Sequence, residues 1–409
     1  MKAERGYPAV TVGAKAERFI RSGHIWVYKE DVEKVDGEYC NGDIVDVFTK
    51  KHVWLGAGFI NGNSKILVRL ISKNANDRFD AAFWQRRVKY AIDYRETAMN
   101  GDLGCCRLIF GDSDGFPGFI CDKFGGVLVF QSLSLGMDLR KDTLIPVIIA
   151  ELRSRGENVS AVYERSDAAV REKEGLSPVC GYFSCDGLES SGSGHTVITE
   201  NGLKFDVDFI NGQKTGYYLD QKRNRAAVAD IAKGKHVLDC FTHTGAFAIN
   251  AAAAGASSVT AVDISATAIE EAKRNAGLNG LSDRIDFIKS DVFELLTEAA
   301  ASGKRPWDLI ILDPPAFTKS ASTLQRAFDG YKQINYMAMR ILPRGGWLAT
   351  CSCSHFMTDA LFRKMLAEAA EKANVSLLQV CEKQQSPDHP ILWGVPETSY
   401  LKFYIFRIV

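Results

Sequence analysis

The stretch VLDCFTHTGAFAINAAAAGASSVTAVDIS, residues 237–265, decides the fold. It runs from an apolar strand through a glycine-containing turn into an alanine-rich helix, then into a second strand closed by Asp263. A strand-loop-helix-strand unit ending in a carboxylate is how parallel α/β proteins hold an adenosine. Cofactors with a pyrophosphate ask for three glycines, G-x-G-x-x-G, so that backbone can approach the phosphates. Here Thr244-Gly245 stands alone. A single glycine suits a nucleoside cofactor without pyrophosphate, of which S-adenosylmethionine is the principal case.

Around that unit, strands and helices alternate from residue 201 to 409: HVLDCF, SVTAVDI, RIDFIKS, WDLIILDPP and GWLATCS are strand candidates separated by helical patterns. Such alternation predicts a parallel sheet covered on both faces. VSLLQVCEK and TSYLKFYIFRIV add two strands joined by a proline-containing loop, so one of them is expected to run antiparallel. The expectation is a Rossmann-like, seven-stranded α/β methyltransferase sheet. Ligands of open parallel sheets collect at strand C-termini, and three consecutive strands end in an acid. Asp239 is placed for the cofactor's amino group, Asp263 for its ribose hydroxyls and Asp291 for its adenine amino group. Strand ends and helix caps favour Asp on structural grounds too, so the set of three carries more than any member.

The fourth strand leads into ILDPPAF and the fifth into ATCSCSHFM. Cys351 and Cys353 thus flank the point where strand gives way to loop, across from a bound methyl donor. A cysteine there is most often an inert hydrophobe, but a neighbouring helix N-terminus favours its thiolate. One reaction needs that thiolate. Carbon 5 of a pyrimidine is a poor nucleophile, and a thiolate adding at carbon 6 makes it electron-rich enough to take a methyl group. Asp313 of the DPP segment is the candidate for orienting and polarising the ring.

Upstream, residues 73–200 read as a small α/β unit opened by an amphipathic helix with Arg86, Arg87, Lys89 and Arg95 on its polar side. Residues 1–72 read as a β-rich module of short strands between Gly, Asn and Asp turns, with 11 basic and 9 acidic residues. Over all 409 residues, 50 basic balance 50 acidic ones, which excludes a protein that coats nucleic acid by charge alone. The 46% apolar content is that of a globular chain, and the apolar runs fall short of the roughly 20 residues that span a bilayer. With no apolar segment behind the first charges, a cytoplasmic location is expected. Ten cysteines without a C-x-x-C pair and seven scattered histidines argue against a metal site. The oligomeric state stays open, a homodimer included.

Several stretches together resemble one family: SGHIWVYKEDVEKVDGEYCNGDIVDVF and LGAGFINGNSKILVRLIS near the N-terminus, then INGQKTGYYLDQKRNR, VLDCFTHTGAFAINAA, LDPPAF, SCS with downstream Met357, and DHPILWGVPETSYLK. They are similar, in order and over nearly the whole chain, to the bacterial 23S ribosomal RNA 5-methylcytosine methyltransferases, which join an N-terminal β-barrel PUA domain to a class I methyltransferase domain. The resemblance implies S-adenosylmethionine as cofactor, ribosomal RNA with an unstacked target base as partner, and Cys353 as nucleophile with Cys351 as its rival. It implies cofactor contacts at Gln221 and Arg225 beside Thr244, Gly245 and Asp313, whereas Lys222 and Arg223 are candidates for RNA phosphates. Two-cysteine relatives carry a second thiol where this chain has Ala316, so the expectation is a single essential thiol. Asp388 and His389 are candidates for orienting the target or for capping a loop. The competing readings are a guanine-modifying RNA methyltransferase and a non-catalytic ribosome-assembly factor.

Overall fold

A computed structural model describes residues 5–318 and 320–409. The chain divides into two compact units, one formed by Met1–Ile198, Val207–Leu219 and Pro387–Thr398, the other by Thr199–Asp206, Asp220–Ser386 and Ser399–Val409.

The first unit holds two sheets. Six strands between Ala9 and Ser72 form the first, with β-branched residues such as Val10, Val12, Val45 and Val47 alternating into its core. Five strands between Cys105 and Tyr182 form the second in simple sequential order, two of its pairings being hairpins. The helix Ala81–Ala98, capped by Asp80 accepting from Phe83 N at 3.0 Å, shares a core with this second sheet.

That helix corrects the expected polar face. Arg86 and Lys89 are solvated, but Arg87 donates to the Ile71 carbonyl and Arg95 is fully buried. Arg95 lies seven residues after Val88 and three after Ile92, so helical geometry puts it on the buried stripe whatever its charge. Its guanidinium is held there by both oxygens of Asp114 at 2.6 and 2.7 Å and by the Arg107 and Asp388 carbonyls. Asp388 and His389 are buried in the same unit: Asp388 accepts from Arg107 N at 2.9 Å and contacts His389 Nδ1 at 3.0 Å, and the imidazole packs on Phe110. Their hydrogen bonds are those of a loop anchor.

The second unit is built on seven strands, numbered here β1 (His236–Cys240), β2 (Ser258–Asp263), β3 (Ile285–Lys289), β4 (Leu309–Leu312), β5 (Trp347–Ser352), β6 (Leu377–Lys383) and β7 (Lys402–Ile408). Their order is β3-β2-β1-β4-β5-β7-β6, with β7 antiparallel to both neighbours and the first five mutually parallel. Among the described residues six α-helices accompany them: α1 (Lys222–Ala232), α2 (Ala246–Ala253), α3 (Ala266–Leu278), α4 (Val292–Ser302), α5 (Leu324–Ile341) and α6 (Asp359–Ala373). All four residues of β4 and the run Val237–Cys240 of β1 are fully buried, as central strands of a doubly covered sheet must be. The strand order turns back between β1 and β4, which is where such sheets open a ligand crevice. Among the described residues no helix is long and apolar enough to cross a membrane.

Candidate active site

The turn after β1 is built under strain. Phe241 and His243 have φ of 63° and 50°, and Gly245, the cap of α2, has φ of 81°. Left-handed backbone at two non-glycine residues is uncommon and marks a loop whose surroundings over-determine it. A Cβ at Gly245 would stand 2.9 Å from the Cβ of Ala272 on α3, so the glycine is also what lets α2 and α3 approach. Gly245→Ala is expected to cost roughly 1–3 kcal/mol from the left-handed backbone and the overlap together, read as a lower urea midpoint.

Asp239, next to last in β1, has no exposure. Its Oδ2 accepts from Thr242 Oγ1 at 2.6 Å and from Ala248 N at 3.0 Å, while its Oδ1 is buried without a partner among the described residues. Burial, with added repulsion from Asp313 and Asp263, pushes its pKa up to about 7 although the two hydrogen bonds pull the other way. An unpaired buried carboxylate oxygen is costly unless a cation or donor completes it. Asp263 braces the same turn, accepting from His243 N at 3.0 Å and Ser265 N at 2.9 Å. Asp291 caps α4 through Oδ1, accepting from Phe293 N at 2.7 Å and Glu294 N at 3.2 Å. Thr244 is buried in the turn, and its carbonyl accepts from Asn275 Nδ2 at 3.0 Å.

Between β4 and β5 lies a second cluster. Asp313 is half-buried, and two donors converge on its Oδ1: Cys351 Sγ at 3.0 Å and Gln221 Nε2 at 3.0 Å. Burial pushes the carboxyl up to about 6. Gln221 is held in turn by Asn224, whose amide donates to Gln221 Oε1 at 2.6 Å.

This cluster separates the two cysteines. Cys351, on β5, is 1% exposed, hydrogen-bonded to Asp313 and the Leu312 carbonyl, and burial beside a carboxylate raises its thiol pKa well above the ordinary value. That thiol keeps its proton. Cys353 lies beyond the end of β5 and is half-buried.

Burial sets Lys222 apart from the expected phosphate-binding role. Lys222 and Arg225 are buried at the start of α1, and Arg225 forms a two-pronged pair with Glu200 at 2.6 and 3.1 Å. Glu200 and Thr242 carry no local signal in sequence: Glu200 ends the strand His195–Glu200 and meets Arg225 only across 25 residues, and Thr242 lies in the turn after β1. Met357 is a core residue.

A strained glycine turn after β1, acids ending β1 and β2, another just beyond β3, and a carboxylate-thiol pair at the ends of β4 and β5 define the class: an S-adenosylmethionine-dependent methyltransferase. Residues 169–407 match the family so described, and residues 10–73 match a PUA-like domain. The chain belongs, within that class, to the ribosomal RNA large subunit methyltransferase I family. It is 40% identical over 402 residues to the member from Pseudoalteromonas atlantica, covering 98% of this chain and 99% of the relative. With the member from Klebsiella pneumoniae it shares 37% over 409 residues, covering 98% and 99%. Two solved structures agree with the fold: a SAM-dependent methyltransferase from Streptococcus mutans (TM-score 0.79, 22% identity) and a methyltransferase complexed with SAH (TM-score 0.81, 21% identity), each alignment covering 98% of this chain and 99% of the other. The partnerless Oδ1 of Asp239 fits the cationic amino group of such a cofactor.

Proposed function

We propose that the chain methylates carbon 5 of a cytosine in large-subunit (23S) ribosomal RNA, with Cys353 as the nucleophile. The observation carrying this reading is the contrast between the two thiols: Cys351 is locked to Asp313, while Cys353 stands just past the strand end, half-exposed. Methylation of a guanine nitrogen or amino group needs no thiol. The names of the relatives supply the large-subunit RNA.

When bound, S-adenosylmethionine supplies an electrophilic methyl group. Asp239 would hold its amino group, Asp263 its ribose and Asp291 its adenine amine, with Thr244 and Gly245 admitting it to the backbone; Gln221 and Arg225 would border the pocket. Cys353 Sγ adds to carbon 6 of the cytosine, forming a sulfur-carbon bond and moving an electron pair of the 5,6 double bond to carbon 5. After carbon 5 is alkylated, a base removes its proton and the sulfur leaves with its bonding pair. Asp313, with Oδ1 already occupied, would present Oδ2 to the ring. Its raised pKa brings a carboxyl proton within reach of neutral pH, and donating it to N3 would draw electrons from carbon 6.

The target base must leave its stack, which looped or single-stranded RNA permits at least cost. The PUA-like sheet is one surface for that RNA. A cavity of about 550 Å³ beside the helix Ala81–Ala98 is another, lined in part by Arg86, Tyr90 and Tyr94, the two tyrosines exposed one helical turn apart for base stacking. A ribosomal substrate supports a cytoplasmic location.

Undermodified 23S RNA incubated with the protein and isotopically labelled donor, then digested to nucleosides, is expected to yield label in 5-methylcytidine. Label in a methylated guanosine overturns the reading, and no label with intact donor binding favours a binding factor.

A further inference from the structure

Lys402 opens β7 directly opposite Ser352 in the antiparallel β5/β7 pair. Its side chain is buried, and Nζ donates to the Ser354 carbonyl at 2.6 Å and the Tyr400 carbonyl at 2.7 Å. The lysine therefore grips the carbonyl of the residue immediately after Cys353. Among the described residues no carboxylate lies within 4.0 Å of this ammonium. A buried cation with only neutral acceptors is costly, and a nearby anion relieves it.

Three groups that are negative when ionised lie near it: Cys353 in the loop after β5, Asp359 at the start of α6, and Cys351 on β5 itself. Asp359 is already engaged, accepting from Arg363 Nε at 2.8 Å and from the Tyr404 hydroxyl. Cys351 keeps its proton on Asp313. Cys353 belongs to the loop that Lys402 holds through Ser354, and its negative charge would complete the site.

We propose that Lys402 is a positioning residue for Cys353, its ammonium fixing the loop through Ser354 and supplying the positive charge beside which that thiol ionises. The step is a simple ionisation: the thiol proton passes to water, the sulfur keeps the electron pair, and Lys402 keeps its own proton. Burial draws the ammonium pKa down to about 8, which leaves it charged at neutral pH. The inference rests on reading Cys353 as the nucleophile, and it explains how that thiol becomes one.

The test reads the thiol without methylation. The folded chain is alkylated with iodoacetamide through a pH series, and modification of the Cys353 peptide is followed by mass spectrometry. In the parent protein the midpoint is expected below the ordinary thiol value of about 8.5. Lys402→Arg should keep the neutral-pH thiolate fraction within about twofold, and Lys402→Met should lower it about tenfold, a midpoint shift of about one unit. Methyl transfer by Lys402→Met should fall by a similar factor at neutral pH and recover toward high pH. A parent midpoint at or above about 8.5, or a Lys402→Met profile superimposed on the parent's, overturns the proposal. Should Lys402→Met fail to fold by circular dichroism, the parent midpoint alone decides. Methyl transfer surviving Cys353→Ala would remove the nucleophile reading while leaving the alkylation result standing, so the two failures are distinguishable.

Discussion

Cys353→Ala is expected to lower methyl transfer to ribosomal RNA by at least about a thousandfold, because it removes the covalent nucleophile. Binding of S-adenosylmethionine should stay within about twofold, since the Asp239 turn and its hydrogen bonds are untouched. Cys351→Ala should behave differently. It deletes one of two donors to Asp313 Oδ1 and opens a small cavity, which predicts a loss of about 1–2 kcal/mol in stability and a modest drop in rate with the reaction preserved. RNA carrying 5-fluorocytidine sharpens the contrast: fluorine cannot leave carbon 5 as a cation, so the adduct should persist and map by mass spectrometry to Cys353. A Cys351 adduct would reverse the assignment of the two thiols. If Cys353→Ala keeps its rate and no adduct forms, the carbon 5 mechanism is wrong.

Why the sequence left two thiols in contention follows from strand geometry. Residues two apart point the same way while a strand lasts, so Cys351 and Cys353 look equivalent on period alone. The strand ends at Ser352, between them, and only the structure says that the first thiol belongs to the sheet and the second to the loop. The parallel sheet, the Gly245 turn and the placement of Asp239, Asp263 and Asp291 were legible because each follows from local pattern: apolar runs, a lone glycine, acids closing or following strands. Long-range pairing was not. Arg95 reads as a surface charge until Asp114 and the Asp388 carbonyl are brought to it, and Arg225 until Glu200 is. Lys402 sits in SYLK with no local sign that it reaches across to the Ser354 carbonyl beside Cys353. Charged side chains that are buried in pairs look, in sequence, like those that are solvated.

The affinity for S-adenosylmethionine is expected to weaken by about an order of magnitude as the pH falls from about 7.5 to about 6, a consequence of where Asp239 titrates. Its pKa stands at about 7, above the ordinary 3.8, so in the cofactor-free protein the carboxyl is largely protonated at the lower pH. Only the carboxylate can complete its orphaned Oδ1 with an ammonium, so binding at low pH must first expel that proton. Calorimetry in two buffers of different ionisation enthalpy should therefore register release of close to one proton per cofactor near pH 6, and little at about pH 7.5. Asp313, itself pushed up to about 6, contributes charge that raises Asp239, so the midpoint belongs to the pair. The same shift has an opposite face in the empty protein. Between about pH 4 and about pH 7 the folded chain binds more protons than the unfolded one, so stability declines as pH rises through that window, and bound cofactor should reverse the trend. Asp239→Asn removes both effects: its pH profile should be flat, its cofactor affinity about tenfold to a hundredfold weaker near pH 7.5, as loss of a charge-assisted hydrogen bond predicts, and its cofactor-free stability greater at that pH because no buried anion remains. A level affinity across the same interval in the unaltered protein would mean that the cofactor's amino group is held elsewhere, and that Asp239 serves the strained turn alone through Oδ2.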